Sequence, residues 1–169
     1  MRYFIFIVIS LSLASFFAGC KKLQLTSATA EGAHTFSCMV EGTVFRPDRS
    51  GWFGGPPLNA YVTTEGLSIH AFKSGVSNSP GERITIFVSN ARSAGTYSLN
   101  AGGSYAIYEL NYSGAPYYRT NGNYGGSITL TRFDTSAQIY SGTFHFSGQD
   151  STNAKVIHVK NGRFDIKKQ

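Results

Sequence analysis

From Thr35 to the carboxyl terminus, apolar and polar residues alternate with a period of two, and a Gly, Asn or Pro breaks the pattern roughly every eight to twelve residues. A period of two sends successive side chains to opposite faces of a strand, so the chain can bury its apolar residues only by pairing strands. The pattern predicts strands near 35–45, 58–64, 66–72, 82–89, 95–99, 104–112, 126–133, 137–147 and 154–166, about nine in all. No segment after the amino-terminal apolar run has a helical period. Connections such as Thr64-Glu65-Gly66 and Asp134-Thr135-Ser136 are short enough to allow only hairpins between neighbours. The expected fold is all-β, an antiparallel meander closed as a flattened barrel or folded as a two-sheet sandwich.

Alternation also assigns faces. Cys38 falls with Phe36 and Val40 on a core face, and Tyr140, Phe144 and Phe146 share another, opposite Thr143 and His145. Tyr108, Leu110 and Tyr112 fall together on the core side of their strand. Asn161-Gly162 is a strong turn dipeptide, yet little chain follows it, so it is expected to form a bulge or tight turn at the sheet edge.

The amino terminus has a different character. Arg2 precedes an apolar or small run that ends in Phe17-Ala18-Gly19-Cys20, followed by Lys21 and Lys22. That order matches an export signal, and the run stops short of the roughly 20 residues needed to span a bilayer. Small residues before a cysteine admit the backbone to a signal peptidase, and the thiol is the nucleophile that takes up a diacylglyceryl group. Phe17-Ala18-Gly19-Cys20 therefore resembles a lipobox, departing from its commonest form at Phe17, where Leu is usual. The expected division is a lipoprotein signal peptide over 1–19, a lipid-anchored tether over 20–34 and a single β domain over 35–169. Fully extended, the small, polar tether would reach about 45 Å from the membrane.

Net charge is +6, with the basic residues at the chain ends or scattered singly, which gives no patch for nucleic acid. Lipidation of Cys20 leaves Cys38 as the sole remaining cysteine, without an intramolecular disulfide partner. It is expected to be a buried small hydrophobe.

The run Gly126-Ser127-Ile128-Thr129-Leu130, then Ser141-Gly142-Thr143-Phe144-His145-Phe146, then Asn161-Gly162-Arg163-Phe164-Asp165 resembles an uncharacterised family of Bacteroidota lipoproteins. Phe36-Ser37-Cys38-Met39-Val40-Glu41-Gly42-Thr43-Val44-Phe45 is similar to that family's opening strand and Gly95-Thr96-Tyr97-Ser98-Leu99 to its central segment. The resemblance covers roughly residues 34 to 167 and implies a cell-envelope lipoprotein, in the outer membrane of a Gram-negative bacterium, with no assigned activity. Asp150-Ser151-Thr152 also resembles the short O-glycosylation acceptor of exported proteins in that phylum, which makes Ser151 a candidate solvent-facing modification site.

Signals for catalysis are thin. The nine carboxylates are dispersed, whereas glycosidase chemistry needs two flanking one bond. There is no Gly-x-Ser-x-Gly elbow, no His-Glu-x-x-His and no phosphate-cradling glycine loop. His145 and His158 could fall diagonally on one polar face, but two histidines without a third ligand do not make a transition-metal site. No metal, cofactor or enzymatic activity is expected.

Two aromatic concentrations remain. Trp52 and Phe53 sit among glycines and prolines in Pro47-Asp48-Arg49-Ser50-Gly51-Trp52-Phe53-Gly54-Gly55-Pro56-Pro57, which either presents rings to a ligand or folds them inward as a plug. Between 105 and 124, tyrosines interleave with asparagines, a mixture suited to polar recognition. Alternation leaves Tyr117, Tyr118 and Tyr124 as candidates for exposure, with packing at the sheet edge as the alternative. The expectation is a non-catalytic binding module, held to the membrane by its lipid and contacting a glycan, an apolar small molecule or an envelope protein. The alternatives are an enzyme acting on glycans or peptidoglycan and a structural subunit of an envelope assembly.

Overall fold

A computed structural model describes residues 24–48, 56–75, 80–100, 103–110 and 116–168. These form eleven strands and no helix: β1 (Thr35–Val40), β2 (Thr43–Phe45), β3 (Leu58–Val62), β4 (Gly66–Lys73), β5 (Glu82–Ser89), β6 (Gly95–Leu99), β7 (Tyr105–Leu110), β8 (Tyr117–Arg119), β9 (Gly126–Asp134), β10 (Ile139–Asp150) and β11 (Val156–Lys167). All-β architecture follows as expected from the period of two.

Two strands more than expected appear, each for a local reason. Glu41 and Gly42 both adopt left-handed backbone, with φ of 47° and 81°, so they close a two-residue turn that splits the first predicted strand into the β1–β2 hairpin. β8 is only three residues long and pairs with β7 on one side and the end of β10 on the other.

The strands form one curled, half-barrel sheet in the order β2-β1-β11-β10-β8-β7-β5-β4-β3. Sequence neighbours pair at β1–β2, β3–β4–β5, β7–β8 and β9–β10–β11, but β6 leaves β5 to pair with β9, which interrupts the meander. The same edge of β10 pairs with β9 over Ile139 to Phe146 and with β8 at Gln149 and Asp150. The sheet therefore forks at β10. Backbones crowd there: a Cβ on Gly126 would lie 2.0 Å from the His145 carbonyl oxygen, so only glycine fits.

The inner faces enclose one core. Phe36, Cys38, Val40, Tyr140, Phe144 and Phe146 are all buried in it, as alternation predicts, with Ile69, Ile84, Ile86, Ile128 and Leu130 from the facing strands. Phe36 packs on Phe144 at 5.1 Å and on Phe45 at 6.0 Å. Asn161 has a φ of 53°, and β11 shifts register against both neighbours around it, so Asn161-Gly162 is a bulge inside one long strand.

The segment ahead of β1 does not stand free. Residues 24–34 lie along the outer face of β1, β11 and β10 as a strap. Asp165, fully buried, accepts the Thr29 hydroxyl at 2.6 Å and the backbone N–H groups of Glu31, Gly32 and Ala33 at 3.0, 2.7 and 3.0 Å, together with the Ser141 hydroxyl at 2.6 Å. Arg132 donates to the Ala30 carbonyl, Arg163 to that of Thr26 and Arg46 to that of Gln24. A polar stretch without period thus becomes ordered by side chains from distant strands. Burial acts to raise the Asp165 carboxyl, but the donors from Ser141, Thr29, Ala33 and Gly32 outweigh it and hold the group well below the usual carboxylate range.

Candidate functional site

The fork at β10 opens a groove beside it. Where β8 and β9 diverge, the chain between them makes a polar turn: the Asn121 side-chain oxygen accepts the N–H groups of Asn123 and Tyr124 at 2.8 and 2.9 Å. The amide of Asn121 donates across to Gln149 on β10 at 3.3 Å. This turn, the outer faces of β7 and β8 and the β10–β11 turn enclose an open groove of about 500 Å³.

Alternation decides what faces it. In β8, Tyr118 points inward while Tyr117 and Arg119 point outward. Tyr105 of β7 and Gln149 of β10 flank Arg119, whose guanidinium carbon lies 4.2 Å from the centroid of the Tyr105 ring. Phe87 backs Tyr105 from the next strand, with ring centroids 5.5 Å apart. Asn100 and Ser104 on one rim and Ser151 on the other complete a wall of hydroxyls, amides and aromatic faces around one cation.

The sequence-predicted residues separate accordingly. Tyr117 lines the groove and is half-buried. Tyr118 does not: it is buried and packs on Tyr108 at 6.1 Å, because the inward position of a short strand flanked on both sides is core. Tyr124 is half-buried at the end of the Asn121 turn and is not part of the groove wall. Ser151 is exposed, in a turn where Asp150 accepts the Thr152 N–H at 2.8 Å. Cys20, Trp52 and Phe53 lie outside the described residues. Tyr105 and Asn121 fall in the tyrosine- and asparagine-rich stretch without being singled out by the sequence, and Arg119 and Gln149 were passed over. The available signal was Arg119 at the same alternation phase as Tyr117 inside the tyrosine-rich stretch.

A separate, smaller cavity of about 290 Å³ is walled in part by Glu41, Glu82 and Tyr108. Glu82 accepts Lys73 at 2.5 Å and the Tyr108 hydroxyl at 3.0 Å, and Glu41 accepts the His158 N–H at 2.5 Å. Burial, with Glu82 second, pushes both the Tyr108 hydroxyl and the neighbouring Cys38 thiol upward, so both stay protonated and inert as nucleophiles at neutral pH. His158 bonds Ser147 at 2.8 Å, and among the described residues no three His, Cys, Asp or Glu side chains gather as metal ligands.

Residues 51–165 match the domain of unknown function DUF6252. The chain belongs to this family. The DUF6252 match spans β3 to all but the end of β11, and so includes every residue of the groove, while the strap and the β1–β2 hairpin precede it. No curated protein and no solved structure matches the chain.

Proposed function

We propose that this protein is a non-catalytic binding module of the bacterial cell envelope, a lipoprotein held to the membrane through Cys20. In this reading it belongs to a Bacteroidota lineage and resides in the outer membrane. One observation carries the binding role: Tyr117 lines an open groove whose other walls are an exposed cation and hydrogen-bonding side chains. Several polar groups converge on the groove between the rings of Tyr105 and Tyr117, with no aliphatic side chain in its wall among the described residues, which suits a ligand that has both polar edges and an apolar face. Every carboxylate of the smaller cavity is engaged by a donor, and the groove wall contains none, which favours binding over hydrolysis.

Two measurements test the reading. In cells fed a labelled fatty acid, the wild-type chain takes up label and Cys20→Ser does not; equal labelling refutes the anchor. Envelope glycans or proteins retained on immobilised wild-type protein are released more than about tenfold more readily from Tyr117→Ala, a loss of about 1.4 kcal/mol. Equal retention refutes the groove.

A further inference from the structure

Among the described residues, Arg119 is the one charged side chain in the groove wall, and no acid pairs with it. Among the described residues, the ion pairs join Lys73 to Glu82, Arg83 to Glu109 and Arg132 to Asp134, and none includes Arg119. The nearest carboxylates by register are committed elsewhere. Glu109, opposite Tyr117, is bound by Arg83, and Asp150, beside Gln149, is buried and accepts the Thr152 N–H.

An arginine at a surface normally spreads into solvent, losing rotamer entropy if it is held. Here the guanidinium is held over the Tyr105 ring. A contact with a ring consumes none of the guanidinium N–H donors, which leaves them for the paired bonds arginine forms to a planar anion. Tyr117 provides a second aromatic face, and Asn121 and Gln149 supply amide donors and acceptors. A ring edge of hydroxyls needs such amides, its apolar face needs an aromatic surface, and an acid substituent needs the cation.

We infer that the groove binds an anionic saccharide, with Arg119 pairing the acid group, Tyr117 against the sugar ring and Asn121 and Gln149 on its hydroxyls. This rests on the binding-module reading and narrows it to a ligand class. A carboxylate, sulfate or phosphate on the sugar presents the same planar or tripodal oxygens to Arg119. Ser151 on the rim places any sugar attached there at the mouth of the groove.

The test is calorimetric titration of the full mature protein with tetragalacturonate, a sulfated tetrasaccharide and a phosphorylated tetrasaccharide, with cellotetraose as the neutral control. At least one anionic probe binds ten times or more tightly than cellotetraose, and its affinity falls as salt rises. Arg119→Gln lowers that affinity at least tenfold with thermal stability unchanged, a larger fall than it causes for cellotetraose. Arg119→Lys recovers only part, since an ammonium cannot make the paired contact. Equal binding of neutral and anionic probes, indifferent to Arg119→Gln, overturns the anionic class while the binding module stands. Absence of binding to all four probes overturns the saccharide inference, and the retention experiment with Tyr117→Ala decides separately whether the groove binds anything.

Discussion

Replacing Asp165 should release the strap. Its carboxylate accepts five hydrogen bonds in a buried site, three of them from consecutive backbone N–H groups. A bond to an ionised acceptor contributes about 1.5–3 kcal/mol, and a stranded buried donor costs about 1–3 kcal/mol. Summing five would overstate the effect, because the strap can peel away and hydrate its own N–H groups, which caps the loss at the strap's docking free energy. For Asp165→Asn, which keeps one acceptor oxygen and turns an amide toward the remaining donors, the expected loss is about 2–4 kcal/mol. In a domain of this size that lowers Tm by about 5–15 °C. Urea denaturation measures the energy, and hydrogen exchange at Glu31, Gly32 and Ala33 locates it. The acid limb supplies a second check. A carboxyl held below its unfolded value stabilises the fold above about pH 4, and the contribution is lost as pH falls through the depressed value. Asp165→Asn should therefore flatten the acid limb. Stability within about 0.5 kcal/mol of wild type, with the three amides still protected, would refute the pinning role.

Three further outcomes are expected. Cys38 should resist thiol reagents in the native protein and react once urea unfolds it, and Cys38→Ser should cost about 1–3 kcal/mol by placing a hydroxyl in the core. Gly126→Ala should destabilise by about 3 kcal/mol or prevent folding, read by urea titration, since its Cβ would meet a backbone carbonyl that cannot move without breaking the fork. His70 lies between Tyr61 and Phe72, and burial, then Arg83, lowers its pKa. Because the folded state disfavours the imidazolium, stability should be full above about pH 6.5 and decline as pH falls from there through the lowered value, a slope that His70→Gln removes in thermal melts.

Those parts of the fold that depend on local pattern were legible in the sequence. Phe36, Cys38 and Val40 could be placed in the core by alternation alone, and Asn161-Gly162 announced a bulge or tight turn because too little chain followed for another paired strand, although β11 lies between β1 and β10 and not at the expected sheet edge. Glu41-Gly42 was harder, since a glutamate with positive φ is a weak turn signal inside an otherwise continuous alternating run. The strap could not be read at all: its acceptor is Asp165, more than 130 positions away, and its own residues show no period. The groove fell between these cases. Tyr117 was recoverable from composition, but Arg119 and Gln149 acquire meaning only when β8 docks on β10, a pairing that no local feature of a three-residue strand encodes.

The strap alters how far the domain can travel. In the proposed lipidated form, four Cα steps separate Cys20 from Gln24, where Arg46 first grips the chain, an extended span of about 14 Å in place of about 45 Å for a leash running to residue 34. The volume the domain can sweep above its anchor scales with the cube of that length, a reduction of about thirtyfold. Such a module meets only what lies close to its own bilayer, at a correspondingly higher local concentration, and rides there in a restricted set of orientations. Asp165, remote from the groove, would then govern which molecules the groove ever encounters.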